Sequence, residues 1–199
     1  TYGNHTFVKL TNEDELEHEV KIKTGLNKAL HKFVPVKDCV GDGILFHNIL
    51  KINLWDKGKK YARLVSVPND ATVFITKKMC KADKLELGER IPIEDLELWS
   101  DQEKCTKLID KAPWILKYIK NQTDEICLKA VRVDGDMIQY VNNQTEEICK
   151  AAIKQRSFSL EHIKDQTEEL CAFAIDLNEW TIKDINKDTW ENFNDVVKE

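Results

Sequence analysis

A motif that recurs every 22 residues in the second half of the chain constrains its fold more than any other feature. Three copies begin with Asn or Asp followed by Gln and Thr: Asn121–Cys127, Asn143–Cys149 and Asp165–Cys171. Cysteines at positions 105, 127, 149 and 171 keep the same interval, and the next step reaches Phe193. A unit this short buries its apolar side chains only against neighbouring copies, so the period predicts a stack of like units.

Each unit starts with a residue that is suited to the beginning of a helix. Side-chain oxygens of Asp and Thr accept a hydrogen bond from an unpaired amide at a helix N-terminus. Acidic residues such as Asp124 and Glu125 follow, where they complement the helix dipole. The predicted caps are Asp101, Thr123, Thr145, Thr167 and Thr189.

Apolar side chains in each unit follow the spacing of an amphipathic helix and then of a second, shorter helix. In one copy the apolar positions are Ile126, Cys127, Ala130 and Val131, then Ile138 and Val141 after a break at Asp134–Asp136. We therefore predict one helical hairpin per unit. Residues 99–199 would form a short α-solenoid of about four and a half units.

The four equally spaced cysteines are interpreted as buried apolar positions. Equivalent residues on packed helices lie about 8–10 Å apart, farther than the roughly 7 Å between Cα atoms that a disulfide spans. Thiols in a row also do not surround a tetrahedral metal ion. We therefore expect no metal site and no bound cofactor. Trp99, Trp114, Trp180 and Trp190 are likewise interpreted as core or end-capping residues.

Residues 1–98 differ in composition, since they hold six of the seven glycines and three of the four prolines. The predicted elements are strands at Arg63–Val67 and Ala71–Ile75 around a turn at Pro68–Asp70, a loop at Gly41–Gly43 entering a strand at Ile44–Phe46, and a short helix within 47–55. Together they predict a small mixed α/β domain with a small sheet over residues 1–98. The whole chain is then of the α+β class, with its domain boundary near residues 92–99.

Charge and hydropathy exclude two classes of partner. Residues 1–98 carry 16 Lys and Arg against 15 Asp and Glu, whereas residues 99–199 carry 14 against 20. Nucleic-acid binding needs clustered cations, so the balance of −6 in the second half argues against a nucleic-acid partner. No apolar run approaches the roughly 18–20 residues that span a bilayer. No signal-peptide pattern opens the sequence either, although a leader could precede Thr1.

Segments of the first half match a viral module in order: Val8–Glu13, His18, Lys23–Asn27, Gly43–Phe46, Val67–Ala71 and Lys81–Leu85. They resemble the N-terminal module that precedes ankyrin-repeat arrays in mimivirus-like giant viruses of amoebae. The sequence departs from that module at Asp42, where a second glycine is expected, and around residues 19–20. The second half resembles the short Asn-Gln-Thr-Glu-Glu-Ile-Cys repeats of the same viruses. The resemblance implies a viral protein that works through protein contacts in the host cytoplasm, and it carries over no catalytic residue.

The leading functional hypothesis is a protein–protein interaction scaffold of a giant DNA virus that engages host or viral proteins. Solenoids expose extended surfaces, and we predict that Arg132, Gln155 and Arg156 face solvent and carry specificity. We expect no catalytic activity, because no Ser, Cys or His stands in a recognisable activated setting. The identity of the partner and the oligomeric state stay open.

Two alternative functions remain. The set His18, Tyr61, Thr24–Gly25 and Gly41–Gly43 is similar to ADP-ribosyltransferase-like arrangements, which predicts a nucleotide-binding enzyme in residues 1–98. The chain is alternatively a structural component of the virion. Six cysteines that are expected to be reduced favour a reducing compartment, the host cytoplasm or the virion.

Overall fold

The computed structural model describes residues 6–17, 20–35, 43–49, 59–76, 80–187 and 189. The chain divides into two compact units, Thr1–Glu97 and Leu98–Glu199. This division lies one residue before the boundary proposed from composition. The described residues of the first unit, which we call the sheet unit, form an antiparallel sheet, and those of the second, which we call the repeat half, include the four α-helices given below. The chain is therefore mixed α and β.

Ten strands are described in the sheet unit: β1 (Phe7–Thr11), β2 (Leu16–Glu17), β3 (Val20–Lys21), β4 (Gly25–Lys28), β5 (Ile44–Asn48), β6 (Tyr61–Ser66), β7 (Val73–Ile75), β8 (Cys80–Ala82), β9 (Lys84–Leu87) and β10 (Ile91–Pro92). Eight of them form one sheet in the order β4-β9-β6-β1-β5-β8-β7, with β10 also paired to β6. β2 and β3 form a separate two-stranded sheet. The main sheet is thus larger than the small one predicted.

Two of the predicted elements differ from the structure in a way that sequence spacing does not reveal. β6 and β7 appear where strands were predicted, but β6 pairs with β1, β9 and β10, and β7 pairs with β8. They are therefore not partners across their turn. The helix predicted from His47 is wrong at its start, because His47 and Asn48 belong to β5 and pair with β1. Residues 50–55 lie outside the described residues.

The strand predicted at Ile44–Phe46 is confirmed as part of β5. Gly43 enters it with a positive φ of 82°, and a Cβ there would lie 2.7 Å from the Phe33 ring. Alternate side chains of a strand point to the same face, so β5, β8 and β9 each supply a pair of residues to one core. Those pairs are Ile44 and Phe46, Cys80 and Ala82, and Leu85 and Leu87, and Ile22 after β3 joins them. Each fully buried large side chain contributes about 1.5–3 kcal/mol.

The repeat half alternates α-helices with short 3₁₀ helices. The described α-helices are α1 (Gln102–Ile109), α2 (Asp124–Val133), α3 (Glu146–Gln155) and α4 (Glu168–Leu177), and the 3₁₀ helices that follow them are Pro113–Tyr118, Gly135–Tyr140, Ser157–His162 and Glu179–Asp184. Each α-helix and the 3₁₀ helix after it form one unit, and the units are numbered one to four in chain order. Two further 3₁₀ helices, Ile93–Asp95 and Glu97–Ser100, precede α1. The predicted second helix of each unit is therefore present, as a 3₁₀ helix of six residues. Each α-helix contacts the next one along the chain. None of the helices among the described residues is long and apolar enough to cross a membrane.

Candidate interaction surface on the repeat units

The predicted helix caps are confirmed in three of the units. Asp101, Thr123 and Thr167 each accept a hydrogen bond from the backbone amide three residues later, at 3.0 to 3.3 Å. Thr145 has the extended backbone of a cap but makes no side-chain capping bond. The amides that Thr189 would cap lie outside the described residues. These caps fix where α1, α2 and α4 begin.

The cysteine column is buried, as predicted. Cys105, Cys127, Cys149 and Cys171 are at most 3% exposed, and none forms a disulfide. Burial raises the pKa of the first three thiols to about 11 and also raises that of Cys171. Neutral, buried thiols are poor nucleophiles and poor metal ligands. Among the described residues, no three His, Cys, Asp or Glu side chains are grouped so that they could hold a metal ion.

A glutamine in the repeated motif joins consecutive units, a role that the sequence analysis missed. The Gln144 amide nitrogen donates to the carbonyl oxygens of Ile138 at 2.9 Å and His162 at 3.1 Å. Its amide oxygen accepts from the backbone N–H of Lys164 at 2.8 Å. One side chain therefore satisfies three backbone groups that lie at the ends of two successive 3₁₀ helices, in the second and third units.

The same three-bond pattern recurs at the equivalent glutamines. Gln122 donates to Leu116 and Tyr140 and accepts from Asn142, and Gln166 donates to Leu160 and Asp184 and accepts from Asn186. We call the three sets of hydrogen bonds, made by Gln122, Gln144 and Gln166, the glutamine bridges. The signal for them was visible in the sequence, because Gln follows Asn or Asp in each full copy of the motif and is not needed as a cap.

Gly135 lets the second and third units approach closely. A Cβ at this position would lie 2.6 Å from the carbonyl oxygen of Ala152 and 2.6 Å from Oγ of Ser159. Its backbone N–H donates to Oε1 of Gln155 at 2.7 Å. Real Cβ atoms do not tolerate such separations, so a side chain here would push α3 and the following 3₁₀ helix away.

The C-terminal ends of α2, α3 and α4, with the start of the 3₁₀ helix that follows each of them, form the surface that we call the turn edge. This turn edge consists of Arg132, Val133, Lys154, Gln155, Arg156, Phe158, Leu177 and Trp180, which are all exposed. In units two and three, Arg156 Nη1 donates to Asp136 Oδ2 at 2.6 Å, and Ser159 Oγ donates to Asp136 Oδ1 at 3.0 Å. The 3₁₀ helices of units three and four also contact each other. The turns of successive units are therefore neighbours.

The three residues predicted to carry specificity all lie on the turn edge. Gln155 is also a structural residue, since it binds Gly135 and its Nε2 lies 3.5 Å from the carbonyl oxygen of Val133. Arg156 uses one nitrogen for Asp136. Arg132 makes no ion pair or side-chain hydrogen bond within the described part of the chain. The structure thus brings the three together, with two of them also joining units.

The turn edge also contains exposed apolar side chains, which were not predicted from the sequence as binding residues. Val133 is 41% exposed, Phe158 38%, Leu177 50% and Trp180 59%. Phe158 and Trp180 are separated by 22 residues and so occupy the same position in their units. The core interpretation of the tryptophans holds for Trp99, which is fully buried, and is wrong for Trp180. Trp190 lies outside the described residues.

The residues of the nucleotide-binding alternative have other contacts in the sheet unit. Thr24 Oγ1 accepts from Arg63 Nη1 at 2.9 Å and donates to Glu89 at 3.2 Å. The Tyr61 ring lies beneath the Arg90 guanidinium, 4.3 Å from the ring centroid. His18, Gly41 and Asp42 lie outside the described residues. The structure therefore assigns Thr24 and Tyr61 to contacts within the fold.

A small cleft beside this network holds several ionisable groups. Its lining includes Lys9, Thr11, Glu15, His47 and Lys59, and its volume is about 120 Å³. Pockets that hold drug-sized ligands enclose about 300–1,000 Å³, so the cleft, as the described residues line it, is smaller than such pockets. Lys9 Nζ donates to the carbonyl oxygen of Leu45 at 2.8 Å.

Comparison with known proteins gives a match only within the repeat half. The profile of a family described as a domain of unknown function (DUF4116) matches residues 123–170. No curated protein and no solved structure matches the chain. The matched segment begins at the cap of α2 and ends within the first turn of α4. Two complete units and the start of a third are therefore similar to that family.

Proposed function

We propose that residues 98–199 form a short α-solenoid that binds proteins through its turn edge, and that the chain is a protein–protein interaction scaffold. The observation that carries the proposal is the exposure of Phe158 and Trp180 at equivalent positions of adjacent units. Aromatic residues and Arg are enriched in protein interfaces and dominate their binding energy. Soluble chains rarely leave several large apolar side chains together on one surface without a partner.

The framework beneath the turn edge supports this proposal. The glutamine bridges and the close contact at Gly135 fix each unit against the next. A surface whose backbone is held in place loses less conformational entropy when a partner binds. The turn edge is therefore pre-organised for binding, and its exposed side chains vary from unit to unit, as specificity requires.

The setting is proposed from the family resemblance of the sequence. The partner would be a host or viral protein met in the cytoplasm of an amoebal host or in the virion. The five described cysteines are all free, which suits a reducing compartment.

Affinity capture with the full chain tests the proposal. The immobilised protein, its Phe158→Ser/Trp180→Ser variant and a Leu26→Ser/Leu64→Ser control would each be titrated with lysate from an amoebal host. Leu26 and Leu64 are exposed apolar residues of the sheet unit, so the control removes similar surface elsewhere. We expect a partner that saturates on the wild type and the control and is lost from the turn-edge variant. Failure to recover a saturable partner, or equal capture by all three proteins, would contradict the proposal.

The proposal assigns no reaction to the chain. Calorimetric titration of the full chain with NAD checks this part separately. We expect no saturable heat at millimolar NAD, and saturable binding that is lost in a Tyr61→Ala variant would instead favour the nucleotide-binding alternative.

A further inference from the structure

We infer that the turn edge takes an acidic segment of a partner protein, one that carries apolar side chains between its carboxylates. This inference rests on the proposed function, because it specifies the chemistry of the partner. It follows from two features of the turn edge: exposed apolar groups, and cations that form no ion pair among the described residues.

Two of the cations are available for a partner. Arg132 and Lys154 are 22 residues apart, at the same position of α2 and α3, and both are exposed. Among the described residues, neither forms an ion pair or a side-chain hydrogen bond. Arg156 follows Lys154 by two residues and has donors to spare, since a guanidinium has five N–H groups and only Nη1 is bound to Asp136. The turns of units two and three thus carry three cationic groups.

The helix dipole explains part of this pattern but not all of it. Cations near the C-terminus of a helix complement the negative end of its dipole, which accounts for Arg132 and Lys154 without any ligand. It does not account for Val133 and Phe158, which are apolar and exposed beside them. An isolated cation needs only water, whereas apolar side chains gain free energy when they are covered. The pairing of both kinds of group therefore indicates a partner that supplies carboxylates and apolar side chains together.

The opposite ends of the same helices carry the opposite charge. Asp124, Glu125 and Glu147, at the N-terminal ends of α2 and α3, are exposed and make no ion pair among the described residues. An acidic segment is repelled there and attracted to the turn edge, and a basic segment shows the reverse preference. Charge therefore distinguishes the two ends of α2 and α3, whereas unit four has the exposed acidic residues Asp176 and Glu179 at its turn.

The fourth unit extends the apolar part of the surface. Leu177 and Trp180 are exposed, and Lys183 Nζ lies 5.0 Å from the centroid of the Trp180 ring. The column of Arg132 and Lys154 ends at Asp176 in this unit. Carboxylates of the partner thus face units two and three, and its apolar residues continue to unit four. Two steps between units, each about 8–10 Å, are covered by about six extended residues.

Labelled synthetic peptides of about nine residues test this inference on the full chain. The first alternates Glu with Leu and Phe, the second has Lys in place of each Glu, and the third keeps Glu but has Ser in place of each apolar residue. Fluorescence anisotropy would be measured against the wild type, Arg132→Glu/Lys154→Glu and Phe158→Ser. Lys120→Glu is the control for a charge reversal elsewhere on the repeat half, since Lys120 is exposed and lies on the turn before α2. Circular dichroism would verify that each variant is folded.

We expect the acidic–apolar peptide to bind most tightly. Its affinity should fall about tenfold or more in Arg132→Glu/Lys154→Glu and in Phe158→Ser. The affinity should stay within about twofold in Lys120→Glu. It should also weaken as salt is added, because exposed charges are screened.

Several results would overturn the inference in distinguishable ways. If the Lys peptide binds instead and depends on Phe158, the partner chemistry is wrong while the proposed binding function stands. The partner chemistry is equally wrong if no peptide binds but the lysate partner is captured through Phe158 and Trp180. Self-association that is lost in Arg132→Glu/Lys154→Glu would make a second copy the occupant. If the wild type binds none of the peptides and captures no partner from the lysate, the proposed function is wrong as well.

Discussion

The sheet unit and the repeat half satisfy their internal polar groups in different ways. In the sheet unit, one ion pair joins Arg63 on β6 to Glu15, 48 residues away, through two hydrogen bonds of 2.9 and 3.0 Å. Arg63 is 5% exposed and Glu15 8%. In the repeat half, a glutamine bridge connects backbone groups of successive units, and three such bridges are described. A single long-range pair has no substitute when it is broken, whereas a repeated contact spreads the same task over several sites.

The largest effect is expected from breaking the ion pair. Arg63→Met leaves the Glu15 carboxylate buried without its cation, and it also removes the donor to Gly88 and Thr24. Removing one partner of a buried pair costs about 3–5 kcal/mol. Urea unfolding measures the loss, and hydrogen exchange shows that it falls in the sheet unit. In the double variant Arg63→Met/Glu15→Gln, no charge is left unpaired, so more than half of the stability should return. An equal loss in both variants would show that packing rather than charge matters.

The same pair makes the stability of the sheet unit depend on pH. The hydrogen bond from Arg63 holds the pKa of the Glu15 carboxyl below its ordinary value, against the opposing effect of burial. A lowered pKa means that the stabilisation is fully present above the ordinary carboxyl pKa, about 4.3, and is lost as the pH falls through the lowered value. Acid unfolding of the wild type should therefore show a contribution below about pH 4 that is absent from Glu15→Gln. If the free energy of unfolding depends on pH in the same way in the two proteins, this account is wrong.

The next effect concerns the contact between units two and three. Gly135→Ala places a methyl group 2.6 Å from a backbone carbonyl and from Oγ of Ser159, so the third unit must shift. Overpacking of this kind costs about 1–3 kcal/mol, measured by urea unfolding of the repeat half. Gly88→Ala is the control, because the nearest atoms to its Cβ lie at 3.7 Å, an ordinary contact. A similar change in stability for both variants would show that crowding at Gly135 does not decide the effect.

A glutamine bridge should contribute less to the free energy of unfolding than the Arg63–Glu15 ion pair or the close contact at Gly135. Gln144→Ala leaves two carbonyl oxygens and one amide without their partner, but the side chain is only partly buried, so water replaces some of these bonds. We expect a loss of about 1–2 kcal/mol. Gln122→Ala should cost about the same, because its three bonds are equivalent. Gln139→Ala is the control, since that exposed side chain bonds only within its own 3₁₀ helix. Full stability in Gln144→Ala would mean that the bridges do not hold the units together.

The contrast between the two regions also explains what sequence reasoning found and missed. Periodicity located α1 to α4, the buried Cys column and most of the caps, because each signal is local and occurs several times. It predicted strands β5, β6 and β7 but not the partners of β6 and β7, since strand pairing depends on contacts far apart in the chain. The Arg63–Glu15 pair occurs once and spans 48 residues, so spacing offers no sign of it. On the turn edge, Arg132, Gln155 and Arg156 were identified by their polarity, whereas Phe158 and Trp180 were passed over, because apolar residues are expected inside.

The smallest effect on stability is expected from the helix caps, where two threonines at equivalent positions of the repeat make different contacts. Thr123 accepts a hydrogen bond from the Ile126 amide at 3.3 Å, and Thr145 makes no such bond. Replacing a cap that is hydrogen-bonded costs about 1 kcal/mol, so Thr123→Ala should destabilise the repeat half by about that amount. Thr145→Ala should cost less than about 0.5 kcal/mol, and urea unfolding of both variants measures the difference. Equal losses would mean that the position contributes through its extended backbone and not through the hydroxyl. A difference would show that the 22-residue period fixes where a helix begins but leaves the capping contact to each unit.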